Sequence, residues 1–155
     1  MNFDPMLGVV LIESSSTRDR QVFNAHQVKE VYYYDERKNV NRRFLALCGN
    51  SPGHHDDTFY EVVLQGEAFL LRRQKLRTRH PKEAADYDYY TLFRDELFSL
   101  RRFSRVVYPA MADELTSLEE FKRNNLLYPA NVIDAIQLVE YYNRSIKSAG
   151  ALAMH

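Results

Sequence analysis

Four consecutive residues, His54-His55-Asp56-Asp57, form the densest group of potential metal ligands in this chain. Imidazoles and carboxylates are good zinc ligands. Adjacent side chains diverge, however, and converge on one ion only when other segments contribute. His26 and His80 are the other histidines within the expected domain, and no His-x-x-x-His or Cys-x-x-Cys spacing occurs. The plainer reading of His54 to Asp57 is a polar surface loop. Cys48 with His54 or His55 brings together the residue types of a cysteine hydrolase, where a base must activate the thiol and a third group must orient the base. Nothing nearby in sequence supplies that third group. A single cysteine at a strand end more commonly packs as a small hydrophobe, and one cysteine excludes an internal disulfide.

The stronger chemical signal is a run of cations. Arg72, Arg73, Lys75, Arg77 and Arg79 follow one another with no acid between Glu67 and Glu83. In an extended segment alternate residues face one side, so the run would present a row of positive charge. Arg101, Arg102 and Arg105 could extend it. Such a row suits phosphate, nucleic acid or an acidic partner. It equally suits a solvated loop whose charges keep a sheet edge from aggregating. No glycine-rich phosphate loop or Walker pattern is present, which argues against the usual nucleotide-dependent catalysis, and Asp86 with Asp88 reads as a pair of turn acids. No cofactor is implied. The residues lean away from an enzyme and toward an interaction module.

The segments that position these groups read as strands first and helices after. Thr58 to Arg73 is two strands folded on a turn at Gln65-Gly66-Glu67. Apolar residues on both faces of both strands place this hairpin in the middle of the fold. Gly66 is expected to supply the positive backbone angle of a tight hairpin. Further strands are expected at Val9 to Ile12, Gln21 to Phe23, Val28 to Tyr34, Arg43 to Leu47, Tyr87 to Phe93 and Leu97 to Leu100. In Val28 to Tyr34, Val31 and Tyr33 share one face and Tyr32 and Tyr34 the other. Asp35 to Asn39 and Arg94-Asp95-Glu96 read as turns. Gln74 to Asp86 reads as a long exposed connection.

Phe103, Val106, Val107 and Ala110 fall at helical spacing. Ser117-Leu118-Glu119-Glu120 is a capping-box pattern, and Asn131 is a suitable N-cap for a last helix with a stripe of Val132, Ile136, Val139 and either Tyr142 or Asn143, extended by Ile146. The fold class that follows is α+β: a curved antiparallel sheet or partial β-barrel in the N-terminal two-thirds, followed by two or three packed helices. One domain spans 1–148, with strands at about 9–100 and helices at about 101–147, and 149–155 is expected to be a flexible tail.

The bulk composition narrows the partners. Lys plus Arg and Asp plus Glu number 21 each, and there are 11 Tyr, 9 Phe and no Trp. The balance removes any global electrostatic drive toward nucleic acid or membrane. Tyrosine suits half-buried sheet positions. The N-terminus lacks the basic start and apolar run of a signal peptide, and no apolar run is long enough to span a bilayer. A cytoplasmic location is expected for the chain as written.

The chain also resembles a family of small uncharacterised proteins found mainly in Bacteroidetes bacteria. The matching motifs are Phe23-Asn24-Ala25-His26-Gln27-Val28, Tyr32-Tyr33-Tyr34-Asp35, Arg43-Phe44-Leu45-Ala46-Leu47, and Phe59 to Gly66 with Leu70-Leu71-Arg72-Arg73. Tyr87 to Phe103 and Val139-Glu140-Tyr141-Tyr142-Asn143 complete them. The family has no assigned activity, so the resemblance implies no catalytic residue. Its members look as though they begin with an extra strand pair, and many with an export signal. If the chain is shortened relative to them, a sheet edge near Val9 to Ile12 is left without a partner, and export to the cell envelope becomes an alternative location. That edge and the two-faced hairpin both need covering, so self-association, for example as a homodimer, is the expected interaction.

Overall fold

A computed structural model describes residues 2–13, 19–47, 57–76 and 86–152. It is α+β, with two antiparallel sheets followed by helices. The smaller sheet has the order β1 (Asn2–Asp4), β2 (Val9–Glu13), β3 (Arg20–Asn24). The larger is a meander, each strand paired with the next: β4 (Glu30–Asp35), β5 (Val40–Leu47), β6 (Thr58–Leu64), β7 (Ala68–Gln74), β8 (Tyr87–Phe93) and β9 (Glu96–Ser99). Its two outermost strands, β4 and β9, do not pair, so the sheet is not closed into a barrel.

The edge expected near Val9 to Ile12 is not an edge. Asn2, Phe3 and Asp4 pair with Leu11, Val10 and Val9, and β3 pairs along the other side. The connection between β1 and β2 is held by the Asp4 carboxylate, which accepts the Met6 and Leu7 N–H groups at 2.9 and 3.0 Å. Gly8 then takes a left-handed φ of 66°. The hairpin β6–β7 lies between β5 and β8, as its two apolar faces require.

The same face of the large sheet receives two separate covers. Over β4 to β6, Phe3 packs edge-on against Phe44 and Phe59, at 4.7 and 5.3 Å between ring centroids. Val10, Ala25 and Val31 complete that core. Over β7 to β9, the helices bury Phe103, Val107, Met111, Leu118, Ala135, Leu138, Val139 and Tyr142 against Ala68, Leu70, Phe93 and Phe98. On the opposite face the Tyr60 and Tyr90 rings meet at 5.1 Å above fully buried Leu71.

The helical part begins with α1 (Leu100–Arg102), continues through a π-helical segment at Phe103–Val107, and runs into α2 (Tyr108–Glu114). Pro109 lacks an N–H and its ring would crowd the Arg105 carbonyl in a regular helix. The wider turn, in which Tyr108 N–H reaches the Phe103 carbonyl, accommodates it. The widening also moves the buried stripe to Phe103, Val107 and Met111, and leaves Val106 exposed. Helix α3 (Ser117–Asn124) starts from Thr116 without a side-chain cap. The capping box is not formed: Ser117 is the first residue of the helix and Thr116 holds the cap position, while the Ser117 hydroxyl accepts a hydrogen bond from Tyr141 at 3.2 Å. Helix α4 (Val132–Leu152) is capped as expected by Asn131, whose Oδ1 accepts the Ile133 and Asp134 N–H groups. It continues past Ser148 to Leu152.

Candidate functional site

Between the two covers of the large sheet lies a row of charges. Strand alternation and register put Arg42, Glu61 and Arg72 side by side on β5, β6 and β7. The Glu61 carboxylate accepts Arg42 Nε and Nη2 at 2.8 and 2.7 Å and Arg72 Nε and Nη2 at 2.7 and 3.0 Å. Arg42 Nη1 also reaches Asp35 at 3.3 Å. The Arg72 guanidinium stacks 4.2 Å above the Tyr87 ring. Only 9 % of the Glu61 side chain is exposed. Burial pushes its carboxyl up, but the hydrogen bonds and charges of the two arginines outweigh that and hold it below the ordinary value. The same pairing raises both arginines against the opposing effect of their burial.

A carboxylate that accepts four donors has little basicity left for proton transfer. The adjoining cleft, lined by Pro5, Met6, Phe59 and Tyr87 among others, has about 20 Å³, room for about one water. This network ties β5, β6 and β7 together across the sheet.

It also changes the meaning of the basic run. Arg72 is engaged with Glu61, while Arg73, one residue on, faces the other side of the sheet with Asp88 and Tyr90. Burial, and after it the Asp88 charge, push the Tyr90 hydroxyl up, with Arg73 acting in the opposite direction. Arg72 and Arg73 therefore face opposite sides of β7. Lys75 and Arg101 both line a broad cavity of about 620 Å³, with Tyr87, Asp88, Tyr89, Tyr90 and the start of α4 at Asn131 to Ile133. Arg102 lies elsewhere, over the Phe98 ring and 3.5 Å from Glu96. Arg77 and Arg79 lie outside the described residues, as do Cys48, His54, His55 and Asp56. Asp57 is described, and pairs with His26 at the corner between β3 and β4. No group of three or more potential metal ligands occurs among the described residues.

The surface that stands out beyond these groups is the outer side of β4. This strand ends the large sheet, and among the described residues no strand pairs beyond it. Tyr32 is 63 % exposed and Tyr34 is 49 % exposed. Tyr32 is braced from behind by the Arg43 guanidinium, 5.5 Å from its ring centroid, and Arg43 in turn is held by Glu30 at 2.8 Å. Tyr34 donates to Asn39, which has a left-handed φ of 53° in the turn that follows. An apolar groove runs beside the strand, lined by Val10, Ile12, Phe23, Val28 and Val31 with Tyr32.

Sequence reasoning placed Tyr32 and Tyr34 on one face but did not identify β4 as the edge. That depended on knowing which strand comes last in the sheet. The Glu61 network did carry a signal: a carboxylate inside a doubly covered strand requires a partner. No protein-family model, curated protein or solved structure matches this chain.

Proposed function

We propose that this protein is a non-catalytic interaction module that self-associates, with the free edge of β4 as its working surface. The observation that carries this reading is an open strand with two exposed tyrosines and an adjoining apolar groove. Proteins ordinarily blunt such an edge with lysine, proline, a bulge or a covering segment. Strand β4, Glu-Val-Tyr-Tyr-Tyr-Asp, has neither lysine nor proline. Tyrosines, amphipathic and low in conformational freedom, are enriched at protein interfaces. Membership of the Bacteroidetes family belongs to the same proposal and rests on the motifs that suggested it.

The test is light scattering over a wide concentration range. A species heavier than the 18.3 kDa chain, shifted toward the monomer by Tyr32→Lys, supports the reading. A monomer at the highest concentration overturns it.

A second reading is polyanion binding. It is favoured by one cavity that Lys75 and Arg101 both line with three tyrosines and Asp88, where rings could stack on bases or sugars. The residues that carry it are Arg73, Lys75 and Arg101, with Arg77 and Arg79 from the same run, and without Arg72. Retention on heparin that weakens steeply with salt, and falls in Arg101→Ala, supports it. Absence of retention at low salt removes it.

A further inference from the structure

We infer that two copies of this chain pair antiparallel along β4, about a two-fold axis at Tyr32, to form one continuous sheet. The inference rests on the self-association reading and adds its partner strand and register. The Lys29 carbonyl accepts the Ala46 N–H at 2.8 Å, so Lys29 turns its backbone groups toward β5. In an antiparallel ladder that direction alternates. Val31, Tyr33 and Asp35 therefore bond to β5, and Glu30, Tyr32 and Tyr34 present their N–H and C=O groups outward.

A second β4 strand placed by a two-fold axis normal to the sheet must set residues of the same face opposite one another. With Tyr32 opposite Tyr32 of the second copy, Glu30 lies opposite Tyr34 of the second copy. Every outward-facing residue then exchanges both backbone hydrogen bonds. Sliding the pairing one repeat in either direction leaves one of the three unpaired in each strand. One of those slides also sets Glu30 opposite Glu36 of the second copy, and like charges directly opposite are unfavourable. In the Tyr32-centred register no like charges face each other. The exposed faces of Tyr32 and Tyr34 form a four-ring ladder backed by the Arg43 guanidinium of each copy. Because the same strand serves both copies, the contact closes at two and does not propagate.

A cysteine scan of the full chain carrying Cys48→Ser tests this. Tyr32→Cys, Tyr33→Cys and Tyr34→Cys are each oxidised mildly and read on a non-reducing gel beside light scattering of the unoxidised protein. In the inferred register the two copies of residue 32 are about 5.5 Å apart at Cα, within disulfide reach. The two copies of residue 34 are roughly 14 Å apart, out of reach. Tyr32→Cys is expected to cross-link at least about tenfold faster than Tyr34→Cys. A dimer by light scattering with cross-linking fastest at 33 or 34, or at none of the three, overturns the register and leaves self-association standing. A monomer throughout overturns both.

Discussion

The side-chain amide of Asn143 occupies the space that a Cβ on residue 66 would need. An added Cβ at Gly66 would lie 2.3 Å from Asn143 Cγ. Asn143 on α4 reaches through that opening to the start of β7, accepting the Ala68 N–H at 2.9 Å and donating to the Ala68 carbonyl at 2.8 Å. The amide thus continues the β-ladder with a side chain and fixes the helix on the hairpin. Gly66→Ala must displace Asn143 and break that pair, at a cost of about 2 kcal/mol. Asn143→Ala is expected to cost about the same, since it leaves two backbone groups unpaired. The double variant should be much less destabilised than the sum. Urea denaturation of all four proteins measures it, and strict additivity would show that the two residues are not coupled.

Glu61 should be the least replaceable charge in the protein. Glu61→Gln leaves two guanidinium groups facing each other without their shared carboxylate, and roughly 3 kcal/mol of stability should be lost. The pH dependence follows the same geometry. Glu61 is held below its ordinary value in the folded chain, so its contribution is present above its unfolded value of about 4.5 and is lost as pH falls through the lower folded value. Thermal unfolding between pH 6 and pH 3 should show a steep acid limb in the native chain and a shallower one in Glu61→Gln.

Thr91 predicts a change in the opposite direction. It is fully buried on the helix-covered face of β8, and its hydroxyl is the one buried side-chain polar atom among the described residues without a hydrogen-bond partner. Thr91→Val replaces the hydroxyl with a methyl of similar size and should stabilise by about 1 kcal/mol. A chemical denaturation midpoint that falls would show that the hydroxyl is satisfied in solution.

The alkaline limb should be set by two tyrosines. Burial, and after it hydrogen bonding to a carboxylate, raises Tyr108, which donates to Glu119 at 2.6 Å, and Tyr142, which donates to Glu114. A folded value raised above the unfolded one of about 10 means their contribution is complete below that pH and is lost as pH rises through the folded value. Spectrophotometric titration of Tyr108→Phe and Tyr142→Phe should each remove a late-ionising phenol. Retention of the full late phase in both variants would contradict the assignment.

Much of the fold was legible because it depends on local pattern. The strand at Val31 to Tyr34 showed its two faces by alternation, and Asn131 its capping role by residue type. Gly66 was legible as a turn residue, but the reason for it was not. The left-handed two-residue turn lies instead at Arg94 and Asp95, with φ of 51° and 62° and no glycine, while Gly66 leaves space for a side chain 77 positions along the chain. The capping box at Ser117 was not formed because the helix begins one residue earlier than the pattern requires, with Thr116 at the cap position and Ser117 inside the first turn.

The candidate site divides in the same way. Residue type and spacing established by themselves the α+β order, the apolar hairpin and the cluster of cations that begins at Arg72, since periodicity and composition are properties of neighbours along the chain. Only the tertiary structure decided that Arg72 belongs to Glu61, that Lys75 and Arg101 line one cavity, that Val9 to Ile12 lies inside the smaller sheet and that β4 is an outermost strand of the larger one. Each of these depends on which strand lies beside which. That arrangement is set by the summed burial of two separate cores on one sheet face, which no short stretch of sequence contains.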